Sequence, residues 1–569
     1  MEKQKDFNQT TLVVPPDKSI SHRALIFASL AEGVSEIKNV LMSEDVRATI
    51  RVLGQLGVKI EIAEKYRDPQ GPSGAFHQTC LWAYLAQRTG DIFLQFVFFV
   101  HGVGLQGYKP TDKILNCGNS GTTLRLMLGV LAGQGISAKL TGDDSLNRRP
   151  MDRVIEPLRK MGAKIEVIYD QGRRVICLAP HSGLRPLNYR LPVASAQVKT
   201  ALLLAGLTAG VEVTLEEPKA TRDHTELLLK QQGIDIAAEK YHPSGSCLAS
   251  AGGLIRPFGG RYFSFSAPRK LALPRVRGSS EIIASPRHPM GPGIFLRTLH
   301  LTIPGDFSSA AFFIVLALLK DVGANPCIRP HYAVPLRIKN VGLNPTRTGL
   351  LNVLWRMGAK IEILNKQFCE NHRDPWGDLL IKSSPLKNTT VTPDEIPFLI
   401  DEIPILALAA SFAEGEFVLS GAEELRVKEC DRIHAICTEL KKLGVDITEK
   451  TDGFIIKGHS CENITHRGPG WLAIFPPQHS QVRAATSTWF VGNNSFTEPP
   501  LGPRYFHQDL NRVHFSSYGD HRIAMMIVIA GKILGRDLTI DDTGCIETSF
   551  PGFLNLVEEY EGEDEVFDK

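Results

Sequence analysis

Six stretches of the chain are apolar on nearly every side of a helical wheel, and each opens on a small or charged polar residue and closes on Gly. They run from Asp17 to Gly33, Gly118 to Gly133, Ser195 to Gly210, Asp306 to Gly323, Asp401 to Gly415 and Asp520 to Gly535. Bodies such as ALLLAGLTAG and AMMIVIAGKILG leave no wet face, so the pattern predicts helices buried inside a domain instead of lying on one. Their polar ends then matter most. A helix start carries four unpaired backbone NH groups and about half a unit of positive charge, so buried helices beginning at a common cleft make that cleft bind anions.

A second phrase recurs between them: Leu-x-x-hydrophobic-Gly followed by an alternating strand. It reads LGQLGVKIEI up to Ile62, LRKMGAKIEV up to Val167, LWRMGAKIEI up to Ile363 and LKKLGVDI up to Ile447, with LLKQQGIDI up to Ile236 as a looser fifth copy. Each predicts a surface helix stopped by Gly, then a half-exposed strand. The repeating unit is buried helix, strand, polar loop, second helix, strand, and it occurs about six times in an α/β chain. The starts are unevenly spaced, which argues for a closed pseudo-symmetric arrangement over a solenoid. Five segments break the pattern, at about 64–111, 237–299, 322–336, 366–378 and 459–517; rich in Pro, Gly, His and scattered aromatics, they read as insertions outside the repeated core.

A chain of 569 residues has room for more than one core. A net charge of +3 is too mild for nucleic acid but suits small anions. Ten scattered cysteines with no Cys-x-x-Cys favour reduced thiols, with neither a disulfide framework nor a metal site suggested. The start of the chain reads as neither signal nor transit peptide, and the most apolar run outside the repeats, Ile92 to Val100, is too short to span a bilayer. The expectation is a cytoplasmic protein, or a plastid one whose transit peptide is missing from the sequence.

Cations crowd the helix entrances. Lys18, Arg23, Arg125, Arg149, Arg222, Lys428, Arg432 and Arg522 fall at equivalent points of the repeat. Any one Arg in a first helical turn is usually a solvated charge that opposes the helix dipole, but the joint pattern points to more than one anionic ligand. Asp17, Asp306 and Ser309 read as ordinary N-caps. Asp401 and Glu429 sit among the cations; within such a cleft two acids and a Lys can move protons on and off carbon and oxygen. Gly118 and Gly121 let the backbone approach a phosphate closely. Neither a P-loop nor a GxGxxG dinucleotide motif is present.

Taken together, DKSISHR, GNSGTTLR, TGDDSLNRRPM, ASAQVK, TRDHTE, PGDFSSAAF, NPTRTG, DEIPILA, ELRVKECDR, DHRIAM and TSFPGF resemble the 5-enolpyruvylshikimate-3-phosphate (EPSP) synthase family, in family order and over nearly all of the chain outside the five odd segments. ASAQVK, TRDHTE and NPTRTG are closer to its bacterial and cyanobacterial branch. The resemblance implies the two-lobed enolpyruvyl transferase fold: six βαβαββ repeats with buried parallel helices, three per lobe. It implies crossovers near Pro15-Pro16 and Pro304-Gly305, with residues 17–303 in one lobe and 1–16 plus 304–569 in the other. It further implies transfer of the enolpyruvyl group of phosphoenolpyruvate to the 5-hydroxyl of shikimate 3-phosphate, by a monomer with no metal or organic cofactor.

Carried over by motif, Lys18 contacts both substrates; Ser19, Arg23 and Lys428 bind shikimate 3-phosphate, and Ser195 and Arg222 hold its phosphate. Gln197 lies between the ligands. Gly121, Arg149, Arg432 and Arg522 hold phosphoenolpyruvate. Asp401 takes the 5-hydroxyl proton, and Glu429 with Lys18 handles the proton at the phosphoenolpyruvate methylene. Ala196 and Thr548 depart from the enteric and plant pattern but match the other branch. Gly121 is the small residue associated with glyphosate sensitivity. Two alternatives stand beside this: a member that binds the anions without turnover, and a transferase acting on UDP-N-acetylglucosamine, which should carry a reactive-loop Cys and an Asn-rich start motif, neither evident here.

Overall fold

The computed structural model describes residues 9–64, 96–234, 236–240, 261–265, 295–320, 334–368, 374–458 and 513–565. Six buried helices form, at Lys18–Leu30, Gly121–Gln134, Ala196–Ala209, Phe307–Leu319, Ile403–Ser411 and His521–Ile533. In the fourth, all 13 residues are buried, as an all-round apolar sequence requires. Asp17, Ser195, Asp306 and Asp520 cap their helices, each side chain accepting a hydrogen bond from a first-turn amide.

Several predicted bounds move. The second helix opens behind Ser120, whose hydroxyl accepts from the Thr123 amide, and closes on Gly135 at φ 66°; Gly118 precedes it and Gly133 lies inside it. Gly133 is there for packing: a Cβ would sit 1.9 Å from Thr208 Oγ1, and one on Gly129 2.1 Å from the Ala201 carbonyl oxygen, so the second and third helices touch backbone to backbone. The fifth helix begins at Ile403, which leaves Asp401 in the turn before it and not at its cap. Gly33 and Gly415 belong to the strands that follow, and Gly323 lies outside the described residues. The five glycine stops of the second phrase all adopt positive φ: Gly57 (90°), Gly162 (104°), Gly233 (75°), Gly358 (96°) and Gly444 (80°).

Five units carry a four-stranded sheet of one design. In the second, Ile114–Asn116 runs parallel to Ala138–Thr141, which pairs antiparallel with Arg173–Ala179, itself antiparallel to Lys164–Asp170. Among the described residues the sixth unit shows two parallel strands, His514–Phe515 and Thr539–Ile540. Two units borrow their first strand from far along the chain: Thr10–Val13 pairs with Leu336–Gly342, and His300–Thr302 with Glu32–Lys38.

The odd segments are narrower than expected. Phe96–Val103 lies between Glu32–Lys38 and Lys59–Glu64, and Arg261–Phe265 lies between Val213–Glu217 and Ile236–Lys240. Pro375–Lys382 fills the same inner place in the fourth unit. The expected insertions at 64–111 and 237–299 therefore each contain a whole inner strand and that at 366–378 the start of one; in FVFFV every position is apolar, so the sequence lacks the alternation that marks a half-exposed strand. Residues 321–333 and 459–512 lie outside the described residues, but Leu336 and His514–Phe515 are in strands.

Two hydrophobic cores result. One gathers the first three buried helices and residues from Ile20 to Ile303; the other gathers the last three with Leu12 and Val14. Where the chain passes between the two lobes, the passages bond reciprocally: the Asp17 amide donates to the Pro304 carbonyl at 2.8 Å and the Asp306 amide to that of Pro15 at 2.7 Å. The TSFPGF block closes the second core, with Phe550 and Phe553 packed against Phe312 and Phe313 at ring-centre distances of 5.8–6.2 Å.

Candidate active site

Polar helix starts from both cores converge. From the first lobe, Lys18 donates from Nζ to Asp45 Oδ2 at 2.9 Å and to Ser549 Oγ, of the second lobe, at 2.8 Å. Arg23 is 3% exposed; it donates to Thr225 Oγ1 at 2.8 Å, to Thr200 Oγ1 at 3.1 Å and to the Ser19 carbonyl at 3.0 Å. Arg125 donates to Gln197 Oε1 and to the Pro150 carbonyl, and Gln197 donates to Thr122 Oγ1 at 2.8 Å. Among the described residues, neither arginine hydrogen-bonds a carboxylate. Burial pushes both guanidinium groups down to about 10, the Arg125 group with help from Arg149. Buried cations whose hydrogen-bond acceptors are all neutral are stabilised by an arriving anion. Gly121 begins the second buried helix beside Arg125 and Arg149, and Ser195 caps the third.

From the second lobe come the acids. Asp401 faces Lys428 Nζ at 3.6 Å and Arg432 Nη1 at 3.4 Å, its backbone carbonyl accepts from Arg522 Nη1 at 2.8 Å, and Arg222 of the first lobe bonds its Oδ2. Glu429 accepts from Arg432 Nη2 at 2.6 Å and faces Arg149 Nη1, again of the first lobe, at 3.4 Å. Arg432 opens a helix capped by Asp431 and is 1% exposed, held at Nε by Asp520 Oδ2 at 2.7 Å. The sixth helix cap thus also fixes an anion-facing arginine.

Burial alone would raise the Asp401 carboxyl, but Lys428, Arg222, Arg522 and Arg432 together hold it well below the usual carboxylate range. Glu429 is the same: burial opposes ionisation, and Arg432, Arg149, His521 and Lys428 outweigh it. Burial lowers Lys428, with Arg432 and Arg222 adding to the effect and Asp401 and Glu429 opposing it. Both acids are therefore ionised, and the cations they engage are of the kind that also bind phosphate and carboxylate ligands.

The structure brings Asp401, Arg222, Lys428, Arg432 and Arg522 into one cluster and Glu429, Arg149 and Arg432 into an adjoining one. Lys18 is held aside by Asp45 and Ser549, and Ser19 meets Arg23 through its carbonyl. Sequence reasoning assigned no part to Asp45, Thr200, Thr225 or Ser549. The Thr225 hydroxyl lies within TRDHTE and Ser549 within TSFPGF, so the motifs held the signal, but not which side chain faced the site. Among the described residues no group of three His, Cys, Asp or Glu side chains could hold a metal ion, and no helix is long and apolar enough to cross a membrane.

The model of the EPSP synthase (3-phosphoshikimate 1-carboxyvinyltransferase) family matches residues 2–79, 95–246, 287–468 and 499–556. A 3-phosphoshikimate 1-carboxyvinyltransferase of Petrotoga mobilis is 38% identical over 547 residues, covering 96% of each chain. One of Thermodesulfovibrio yellowstonii is 37% identical and covers 96% of this chain and 95% of its own. The solved EPSP synthase of Acinetobacter baumannii has a TM-score of 0.64 at 32% identity, covering 97% of this chain and 95% of that one. The architecture is the two-lobed enolpyruvyl transferase fold, with three buried helices per lobe. The chain belongs to the EPSP synthase family.

Proposed function

We propose that this chain is a transferase that moves the enolpyruvyl group of phosphoenolpyruvate to the 5-hydroxyl of shikimate 3-phosphate, releasing phosphate, in aromatic amino acid biosynthesis. One observation carries the assignment: two ionised acids of the second lobe are each paired with a first-lobe arginine, Asp401 with Arg222 and Glu429 with Arg149. The phosphate of shikimate 3-phosphate takes Arg222 and Ser195, with Ser19, Arg23 and Lys428 holding the rest of that ligand. Phosphoenolpyruvate takes Arg149, with Gly121, Arg432 and Arg522. Lys18 and Gln197 lie between the ligands.

Each ligand thereby engages one or more of the cations that together keep an acid's proton affinity low, and its own negative charge raises that affinity. Asp401 becomes basic enough to take the 5-hydroxyl proton, and Glu429, with Lys18, handles the proton at the phosphoenolpyruvate methylene. The remaining cations stabilise charge in a site that closure shields from water. Residues 17–303 form one lobe and residues 1–16 with 304–569 the other, and the enzyme works as a cytoplasmic monomer on small molecules, without nucleic acid. Steady-state phosphate release with both substrates tests this. Wild type should exceed Asp401→Ala and Glu429→Ala by about 100- to 10,000-fold; equal rates in all three would leave an anion-binding protein with no catalysis.

A further inference from the structure

Both passages between the lobes meet one side chain that the proposed chemistry does not use. Arg347, 3% exposed, donates from Nη2 to Asp306 Oδ1 at 2.7 Å and to Ser308 Oγ at 2.8 Å, and lies 3.7 Å from Asp17 Oδ2. Asp17 and Asp306 cap the first and fourth buried helices, and their amides make the reciprocal bonds of the hinge. Ser308 passes the contact on, its hydroxyl donating to Glu402 Oε1. Glu402 is 1% exposed, adjoins Asp401 in sequence, and lies 3.8 Å from Nη1 of Arg522, the same nitrogen that donates to the Asp401 carbonyl. An unbroken run of buried polar contacts therefore joins the hinge to the proposed base and to one proposed phosphoenolpyruvate cation. A buried carboxylate is costly unless its partners stay in place, so hinge geometry and the position of Glu402 are tied together.

We propose that Glu402 is a positioning residue, through which Arg347 and Ser308 transmit the setting of the hinge to Asp401 and Arg522. The kinetic consequence rests on the enzymatic reading above; the physical link does not. Ser308→Ala cuts the run in its middle while sparing the Arg347 bond to Asp306 and the Arg522 bond to Asp401. In the ligand-free protein, amide hydrogen exchange over residues 399–406 should quicken about tenfold, the effect of one lost buried hydrogen bond. Turnover should fall about tenfold, with the KM for shikimate 3-phosphate unchanged within about twofold, because Arg23 and Ser195 lie on the other lobe. Glu402→Ala should behave like Ser308→Ala, whereas Glu402→Gln, which still accepts from Ser308, should stay near wild type in both measurements.

Unchanged exchange in Ser308→Ala and Glu402→Ala overturns the proposal whatever the activity, and quickened exchange with wild-type kcat overturns the positioning role. A wild type that releases no phosphate refutes the enzymatic reading alone, and exchange then decides the link.

Discussion

Gly121→Ala gives the sharpest test of how the phosphoenolpyruvate side of the site is built. An ideal Cβ there falls 2.8 Å from Arg125 Nη1, 3.3 Å from Arg149 Nη1 and 3.6 Å from Arg125 Cζ. Ordinary contact begins near 3.4 Å, so Arg125 must move by the difference from 2.8 Å, about 0.6 Å. It cannot retreat freely, because one end is bonded to Gln197 and the other to the Pro150 carbonyl. The new methyl therefore displaces a guanidinium or occupies the space a ligand oxygen would use. Losing one charge-assisted hydrogen bond costs about 1.5–3 kcal/mol, or about ten- to 150-fold in affinity.

The expected result is a rise of that size in the KM for phosphoenolpyruvate, read from initial rates of phosphate release, with the KM for shikimate 3-phosphate within about twofold of wild type. Glyphosate should inhibit the wild type competitively with phosphoenolpyruvate and Gly121→Ala at least tenfold less well. Gly121 is helical and not among the glycines with positive φ, so its backbone accepts alanine without strain and the effect falls on the Arg125 and Arg149 side chains. A KM for phosphoenolpyruvate within about twofold of wild type would refute the packing argument. Absence of competitive inhibition at millimolar glyphosate would refute the assignment of this pocket.

Three further outcomes follow from the charges. Arg432→Met leaves Glu429, Asp520 and Asp401 facing one another without their shared cation, and a loss of about 3–5 kcal/mol should lower the calorimetric midpoint by about 3–9 °C. Asp401 and Glu429 have depressed folded-state values, so each stabilises the fold above about pH 4 and loses that contribution as pH falls further; Asp401→Asn should unfold with a shallower acid slope than wild type, and equal slopes would contradict the depression. Arg153 pairs with Glu424 at 2.7 Å between the segments that carry Arg149 and Glu429. Both are partly exposed, so Arg153→Glu should raise the KM for phosphoenolpyruvate by only about two- to fivefold, and adding Glu424→Arg should restore it unless the pair does not help closure.

The buried helices were legible because burial on all sides leaves an unmistakable apolar sequence, and the glycine stops because five of them need positive φ. Phe96–Val103 was not legible: Phe96, Phe98 and Val100 are buried while Val97 and Phe99 are partly exposed, but all five residues of FVFFV are apolar, so the sequence hides the alternation that the burial shows. The cations of the site stood out as a set through their equivalent places in the repeat. Their pairing did not, since Arg222 and Asp401, or Arg149 and Glu429, meet only when two lobes far apart in sequence close on each other. Arg347 and Glu402 lay within recognised motifs, yet their connection needs Ser308 and the crossing of the chain at Asp17 and Asp306. Asp306 read as a plain cap and is one, but it also accepts from Arg347.

The borrowed strands carry a consequence for how the molecule is made. Thr10–Val13 leaves the ribosome more than 300 residues before its partner Leu336–Gly342, and Glu32–Lys38 must wait for His300–Thr302. Neither lobe can complete its leading sheet from a contiguous nascent segment, so for most of synthesis the first strand has no partner. Vectorial folding therefore leaves the leading sheet of the first lobe open until His300–Thr302 has emerged, and that of the second until Leu336–Gly342 and the inner strand Pro375–Lys382 have followed. A circular permutant that starts at Pro304 and runs from Lys569 into Met1 shortens the Thr10-to-Leu336 separation from 326 to 243 residues and should refold faster than the natural order.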